Sequence, residues 1–302
     1  MRLIECVPNF SEGRDHEKIQ AIVAEVNRVE GVKVLDLSPD ADHHRTDLTM
    51  IGEPEKVYEA AMNLAVKAVE LIDMTCHKGE HPRMGAVDVV PFIPVSGVEM
   101  AECVAMAERF GREFSEKTGV PVYLYEDAAR KPERKNLADV RRGEYEGMLK
   151  EIGTNPDKVP DFGPNKMPLK SGATGVCARF FLVPFNVNLG TTDVEIAKKI
   201  AKAVRFMNGG YRYVKAMGFD IKERGLVQIS MNLVNYRGTP IFRVFETIKS
   251  EALRYGVPIV GAEIVGLVPM EALVDVADYY LRLENFKFDQ VLEKKLLEAY
   301  EG

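Results

Sequence analysis

The chain reads as an α+β protein made of two ferredoxin-like subdomains packed together, each built β-α-β-β-α-β on an antiparallel sheet. Three observations carry this expectation. Apolar periodicity gives that order of elements between residues 3 and 95. The same order returns between residues 177 and 268, without a matching sequence period. The length of 302 residues suits about two domains of roughly 150 residues each.

In the first half, residues 3–7 are apolar and β-prone, and Pro8 to Gly13 supply turn chemistry. Ile19, Ile22, Val23 and Val26 fall on one face of a helix expected from Asp15 to about Val29, with Gly31 as its C-terminal cap. A strand at 32–37, a polar loop at 38–44 and a strand at 45–51 follow. A second helix is expected at 54–72, carrying Val57, Ala60, Ala61, Leu64 and Ala65. A polar loop then leads into a buried strand at 86–95. Beyond it, a helix at 98–117, a strand at 120–125 and a charged helix at 132–150 look like decorations.

A Pro- and Gly-rich stretch at 153–175 is longer than ordinary connections, which favours a functional or inter-domain role. The subdomains are therefore expected to span 1–175 and 176–302. The second is expected to hold a strand at 177–188, a helix at 193–207, strands at 214–221 and 226–234, a helix at 240–255 and a strand at 259–268. Residues 271–300 read as a further helical stretch. Two sheets, each with an uncovered face, would leave a cleft between them, a common place for a ligand.

Composition narrows the function classes. A net charge of −6 argues against a general nucleic-acid binder. No apolar run approaches the ~20 residues that span a bilayer, and the apolar start is too short for a signal peptide. The four cysteines form no C-x-x-C pair, so a reduced, cytoplasmic protein is expected.

Chemistry concentrates in the loop Cys76-His77-Lys78-Gly79-Glu80-His81-Pro82-Arg83-Met84-Gly85, which holds two of the five histidines. Gly79 and Pro82 oppose a continuous helix, and the metal pattern H-E-x-x-H is absent, so no metal is expected. Either histidine could instead brace a turn. For His81 we favour general acid/base use, because an imidazole near neutral pKa is the commonest proton carrier. Asp40, Asp42, His43, His44 and Arg45 form a second polar cluster, readable as a solvated loop or as a substrate-binding loop. Lys166 and Lys170 suit either an exposed linker or an anionic substrate. The glycine-rich pieces match neither nucleotide-binding fingerprint.

Several long motifs resemble a known family. They are Ile4-Glu5-Cys6-Val7-Pro8-Asn9-Phe10-Ser11-Glu12-Gly13, then His77 through Gly85 with Asp88-Val89 and Pro91-Phe92-Ile93-Pro94, then Val120-Pro121-Val122-Tyr123-Leu124-Tyr125. Arg142-Gly143-Glu144-Tyr145-Glu146, Pro160-Asp161-Phe162-Gly163-Pro164 and Val265-Gly266-Leu267-Val268-Pro269 continue them. Together they make the chain similar, over essentially its whole length, to the formiminotransferase domain of the formiminotransferase-cyclodeaminase family. In animals that unit is fused to a cyclodeaminase; a stand-alone transferase is expected here.

The resemblance implies two ferredoxin-like subdomains with folate in a channel between them. It implies transfer of a formimino group from N-formimino-L-glutamate to N5 of tetrahydrofolate, a co-substrate, in histidine breakdown. Formyl transfer between 5-formyltetrahydrofolate and glutamate is the alternative, as is a non-catalytic folate-binding protein. The family's catalytic histidine falls on His81. Its folate-contacting segment falls on Gly163, Pro164, Asn165, Lys166, Met167, Pro168, Leu169, Lys170, Ser171 and Gly172, of which residues 165–170 depart from the animal sequences. Asp36, Asp40, His44, Arg45, Lys78 and Arg83 are possible further substrate contacts. His44 stands where relatives commonly have Asn. Relatives form dimers, so a homodimer is expected.

Overall fold

A computed structural model of the chain describes residues 1–79 and 82–301; Glu80, His81 and Gly302 lie outside the described residues. The chain divides into two compact units, Met1–Arg179 and Phe180–Gly302.

The first unit runs β1 (Leu3–Cys6), β2 (Asn9–Phe10), α1 (His16–Asn27), β3 (Lys33–Asp40), β4 (Arg45–Gly52), α2 (Pro54–Leu71), β5 (Val87–Ser96), α3 (Met100–Thr118), β6 (Val122–Glu126), α4 (Leu137–Val140), α5 (Glu144–Glu151) and β7 (Thr174–Ala178). Local chemistry sets several ends. The Asp15 carboxylate caps α1 by accepting the Glu17 and Lys18 N–H groups, both at 3.1 Å. Pro54 opens α2, where its missing N–H costs nothing. Glu99 and Glu102 form a capping box at the start of α3.

Among the described residues the first sheet has the strand order β3-β4-β1-β5-β7-β6, with β2 continuing the line of β1 between β4 and β5. Its β3-β4-β1-β5 part is antiparallel, the pairing expected of a ferredoxin-like unit. The β5-β7-β6 part is parallel. That corrects two expectations. The sheet is mixed rather than purely antiparallel, and β6 is an integral strand rather than a decoration. Parallel strands need long crossovers: α3 joins β5 to β6, and residues 127–173, with α4 and α5, join β6 to its neighbour β7.

Other boundaries also differ from the sequence reading. One strand was expected at 177–188, but the chain breaks there into β7 of the first sheet and β8 of the second. A fully buried apolar run carries no sign of which sheet it joins. The first unit therefore ends at Arg179, four residues beyond the expected boundary at 175. The charged helix at 132–150 is split, because Gly143 (φ 88°) and Glu144 (φ 53°) leave the right-handed helical region between α4 and α5. The polar loop at 38–44 is shorter than expected, since β3 extends to Asp40. Gly31 is not the cap of α1, which ends at Asn27 with Arg28 as its cap.

The second unit runs β8 (Val183–Leu189), α6 (Val194–Val204), β9 (Val214–Ile221), β10 (Leu226–Leu233), α7 (Ile241–Arg254), β11 (Ile259–Ile264), α8 (Met270–Leu281) and α9 (Leu292–Glu301). Its sheet order β11-β8-β10-β9 is antiparallel throughout. This is the ferredoxin-like order again, and the repeat expected from element order is present. Helix α8 lies on α7, with Phe242 and Tyr279 stacked at 4.2 Å. No described helix is long and apolar enough to cross a membrane.

Each unit has its own core. In the first, Phe110 of α3 is fully buried and meets Tyr58, Phe92 and Phe114 at ring-centroid distances of 5.8, 5.6 and 5.7 Å. Such aromatic clusters combine a large buried area with favourable ring geometry. Phe110→Ala is expected to lower unfolding free energy by about 3–5 kcal/mol through the cavity it leaves. A denaturant titration should show the midpoint falling at unchanged slope.

Candidate functional site

The site is assembled in the first unit by strand register. Pairing of Phe10 with Thr46 sets the segment after β2 beside the start of β4. The Thr46 hydroxyl donates to the Glu12 carbonyl at 2.5 Å, so Glu12 is buried beneath the β3–β4 turn. Residues 74–79 then pack against that turn. Gly79 makes this possible: a Cβ there would lie 2.3 Å from the His43 carbonyl oxygen, a distance only glycine accommodates. The two polar clusters of the sequence, far apart in the chain, are thus brought together.

Two histidines form the joint. The His44 and His77 rings stack at 4.3 Å with planes 10° apart. His77 is buried, and its Nε2 lies 2.8 Å from the His44 carbonyl, which can only accept. The Arg83 Nε–H, which can only donate, points at His77 Nδ1 from 3.3 Å. These partners fix His77 as the neutral Nε2–H tautomer. Burial foremost, with the charges of His44 and Arg83, lowers its pKa below the usual 6.5, against the pull of the His44 carbonyl and Glu12. His44 has the opposite surroundings. Its Nδ1 faces the Lys78 carbonyl at 3.1 Å and its Nε2 faces Glu12 Oε1 at 3.0 Å. Both partners accept, so both bonds are complete together only when the ring carries two protons opposite the Glu12 carboxylate. Burial raises the Glu12 carboxyl, but the Asp15 and Arg14 N–H groups and the His44 ring outweigh it, and its pKa is lowered.

Arg83 is buried and heavily committed. Besides His77 it donates to Glu144 at 3.0 Å and to Glu146 at 2.9 and 2.6 Å, a forked pairing. The left-handed conformation at Gly143 and Glu144 starts α5 where both carboxylates reach this arginine. One step along the chain, the Met84 N–H donates to the fully buried Asp88 at 2.9 Å. Arg141 contacts the other Asp88 oxygen at 2.5 Å, by charge rather than by an aligned hydrogen bond. Burial pushes the Asp88 carboxyl up, against the pull of Arg141.

The segment from Gly163 to Gly172 ends beside the same loop. Gly172 (φ 71°) forms a bridge with Gly85, and a Cβ on it would lie 2.3 Å from the Met84 carbonyl oxygen. The Ser171 carbonyl accepts from Ala86 N–H at 2.8 Å, and the Lys170 carbonyl from Met74 N–H at 2.9 Å. The Leu169 carbonyl accepts from the Tyr145 hydroxyl at 2.5 Å. Within the segment, Gly163, Pro164, Asn165, Lys166, Leu169 and Lys170 are exposed, Pro168 is half-buried, and Met167, Ser171 and Gly172 are buried. Met167 belongs to the hydrophobic core.

A cavity of about 570 Å³ opens above this network, bounded by Arg14, Asp42, Thr75, Lys78, Arg83 and Tyr145 among others. That volume is in the range of small-molecule clefts. Of the residues expected from sequence, Lys78 and Arg83 line it, and His44 lies beneath. Arg45 is occupied with Asp47 at 2.6 Å, and Lys170 donates to the Glu70 carbonyl at 3.4 Å. Asp36 accepts from the Ser38 hydroxyl on β3, and Asp40 pairs with His43 at the turn. None of those four is among the residues lining the cavity. His81 lies outside the described residues, but Gly79 and Arg83, two residues to either side, both border the cavity. Glu12, Arg14 and Tyr145 were not among the expected contacts, whereas Asp42 belonged to the polar cluster at 40–45 that was readable as a substrate-binding loop. Glu12 and Tyr145 were signalled by the family motifs that contain them, and Arg14 only by its place beside the first of these. Among the described residues no three His, Cys, Asp or Glu side chains converge as metal ligands.

The neutral state of His77 has a consequence for stability. The unfolded chain takes up this proton near pH 6.5, before the folded protein does. Stability from this group is therefore present above that pH and lost as pH falls below it. His77→Gln keeps a donor for the His44 carbonyl and an acceptor for Arg83 but binds no proton. Urea unfolding at about pH 7.5 and about pH 5.5 should show the variant losing less stability than the wild type between the two. Equal losses would mean that His77 titrates alike in both states.

Comparison with known proteins agrees with this architecture. A family model of the formiminotransferase domain, N-terminal subdomain, matches residues 3–179, and one of the formiminotransferase domain matches residues 184–299. The chain is 47% identical to a glutamate formimidoyltransferase of Streptococcus pyogenes over 297 residues, covering 98% of this chain and 99% of the relative. It is also 47% identical to a glutamate formimidoyltransferase of Thermoplasma acidophilum over 300 residues, covering 99% of each. A formimidoyltransferase-cyclodeaminase of Gallus gallus is 43% identical over 290 residues, and the match spans 53% of that longer protein. With its two units matched in order and almost end to end, the chain belongs to the formiminotransferase domain family.

Proposed function

We propose that the protein is a glutamate formimidoyltransferase, moving the formimidoyl group of N-formimidoyl-L-glutamate to N5 of tetrahydrofolate. The observation that carries this is the 47% identity, over nearly the full length of both partners, to two proteins named for that activity. The chemistry is an exchange of amines on one carbon. N5 of the folate attacks the amidine carbon and loses its proton, giving a tetrahedral intermediate. Collapse breaks the bond to the glutamate nitrogen, which must take a proton to leave as an amine. A single acid/base group suits both transfers, and holding both amines against one carbon removes the entropic part of the barrier.

In this reading His81 is that group. Its support is its place in the Gly79-Glu80-His81-Pro82-Arg83 stretch, whose placed ends border the cavity. His77 cannot serve, since both its nitrogens are engaged and its pKa is lowered. The exposed part of the Gly163–Gly172 segment contacts the folate in this reading. Its buried members, Met167 and Ser171, act through the shape of the loop.

Purified protein should convert formimidoylglutamate and tetrahydrofolate to 5-formiminotetrahydrofolate and glutamate, and no product would refute the proposal. His81→Ala should lower kcat by about 10²–10⁴-fold. Its folate affinity, read by fluorescence titration, should stay within about tenfold of wild type, or roughly 1.4 kcal/mol. Undiminished turnover in that variant would rule His81 out as the proton carrier.

A further inference from the structure

Among the described residues, Arg14, Lys78 and Asp42 on the cavity wall remain without side-chain partners once the network of His44, His77 and Arg83 is complete. Arg14 donates from Nε to the Ala41 carbonyl at 2.7 Å, and its two Nη groups have no partner among the described residues. The Lys78 carbonyl accepts from His44, but its ammonium makes no hydrogen bond or ion pair among those residues. The Asp42 carboxylate, exposed on the β3–β4 turn, is likewise unpaired there. The other charges of the lining, Arg83 and Glu146, neutralise each other. Among the described residues the cavity wall therefore offers two uncommitted cations and one uncommitted anion.

That pattern is the inverse of one donor and not of its near analogue. N-formimidoyl-L-glutamate carries two carboxylates and an amidine, a strong base that is protonated at neutral pH. N-formyl-L-glutamate carries the same carboxylates and a neutral amide. Resting on the activity proposed above, we infer that Arg14 and Lys78 hold the donor's carboxylates while Asp42 faces its amidinium, so that the cavity selects a formimidoyl donor over a formyl one. The free Nη pair of Arg14 matches a carboxylate edge in forked geometry, whereas Lys78 acts as a point charge. Asp42 discriminates by charge: with the formyl compound its negative charge goes unanswered. Because Asp42 is exposed, solvent screens the pairing and its effect is modest. The gap left by the commitment of Arg83 and Arg45 to Glu144, Glu146 and Asp47 is what assigns carboxylate binding to Arg14.

The test uses full-length protein and two constants: KM for N-formimidoyl-L-glutamate, and Ki for N-formyl-L-glutamate competing with it. Asp42→Asn should raise the first on the order of fivefold and leave the second unchanged or lower. Arg14→Ala should raise both by about tenfold, with Arg14→Lys restoring part of each. Both positions are exposed, so thermal midpoints should match wild type. Asp42→Asn shifting both constants equally, or Arg14→Ala shifting neither, would overturn the assignment. Wild-type protein that turns over no formimidoylglutamate would remove the proposed activity along with it. An active enzyme whose variants fail to separate the two compounds would remove the assignment alone.

Discussion

His77 sits between a group that can only accept and a group that can only donate, and the remainder of the site depends on that placement. The His44 carbonyl and the Arg83 Nε–H together hold the ring neutral, in one tautomer and at one angle. Through the first bond it fastens its own loop to the β3–β4 turn. The second ties His77 to Arg83 within the same loop, and Arg83 in turn joins that loop to α5 through Glu144 and Glu146. Charging His77 would place a cation against the Arg83 guanidinium and would turn the Nδ1 acceptor into a donor facing another donor.

The charges around it are arranged so that buried groups are answered and exposed ones are left over. Arg83 is buried, and an unpaired buried guanidinium would be strongly destabilising; three of its groups donate to protein partners. Its carboxylates are largely solvated at their outer edges, which keeps their own desolvation small. Asp88 is fully buried, and it is met by the Met84 N–H and Arg141. By contrast Arg14, Lys78 and Asp42 keep their water in the free protein, and a ligand can replace that water without breaking an internal bond. Wall groups of this kind suit recognition, because their interactions are not already spent on the fold.

Backbone contacts anchor the loop that borders the cavity. Residues 82–86 and 171–173 approach so closely at Gly85 and Gly172 that neither position has space for a side chain. Hydrogen bonds from Ala86, Met74 and Tyr145 then hold the carbonyls of Ser171, Lys170 and Leu169. The C-terminal half of the Gly163–Gly172 segment is thereby fixed to the loop on which the chemistry is proposed, while its N-terminal half stays exposed. Glycines at both ends let one segment be anchored at the core and open at the surface.

The sequence by itself determined most of the order of elements, the duplicated β-α-β-β-α-β plan and the family motifs, and it singled out the loop at 76–85 on which the chemistry is proposed. These are readable because period, capping and turn chemistry act over a few residues: Asp15 caps α1 and Pro54 opens α2 wherever the helices later pack. Tertiary structure decided the rest. Strands β6 and β7 joined the first sheet because parallel pairing is set by partners far away in the chain, and buried runs such as Val122–Glu126 and Thr174–Ala178 carry no address. Which cations stay available was also decided there. Arg83 and Arg45 look as accessible as Arg14 in the sequence, yet in the fold both are paired with carboxylates, whereas Arg14 spends only its Nε–H, on the Ala41 carbonyl. Hydrogen bonds between residues 32 or 61 positions apart, such as His44 to Glu12 and Arg83 to Glu144, follow from sheet register and from the left-handed start of α5. Neither leaves a periodic trace in the chain.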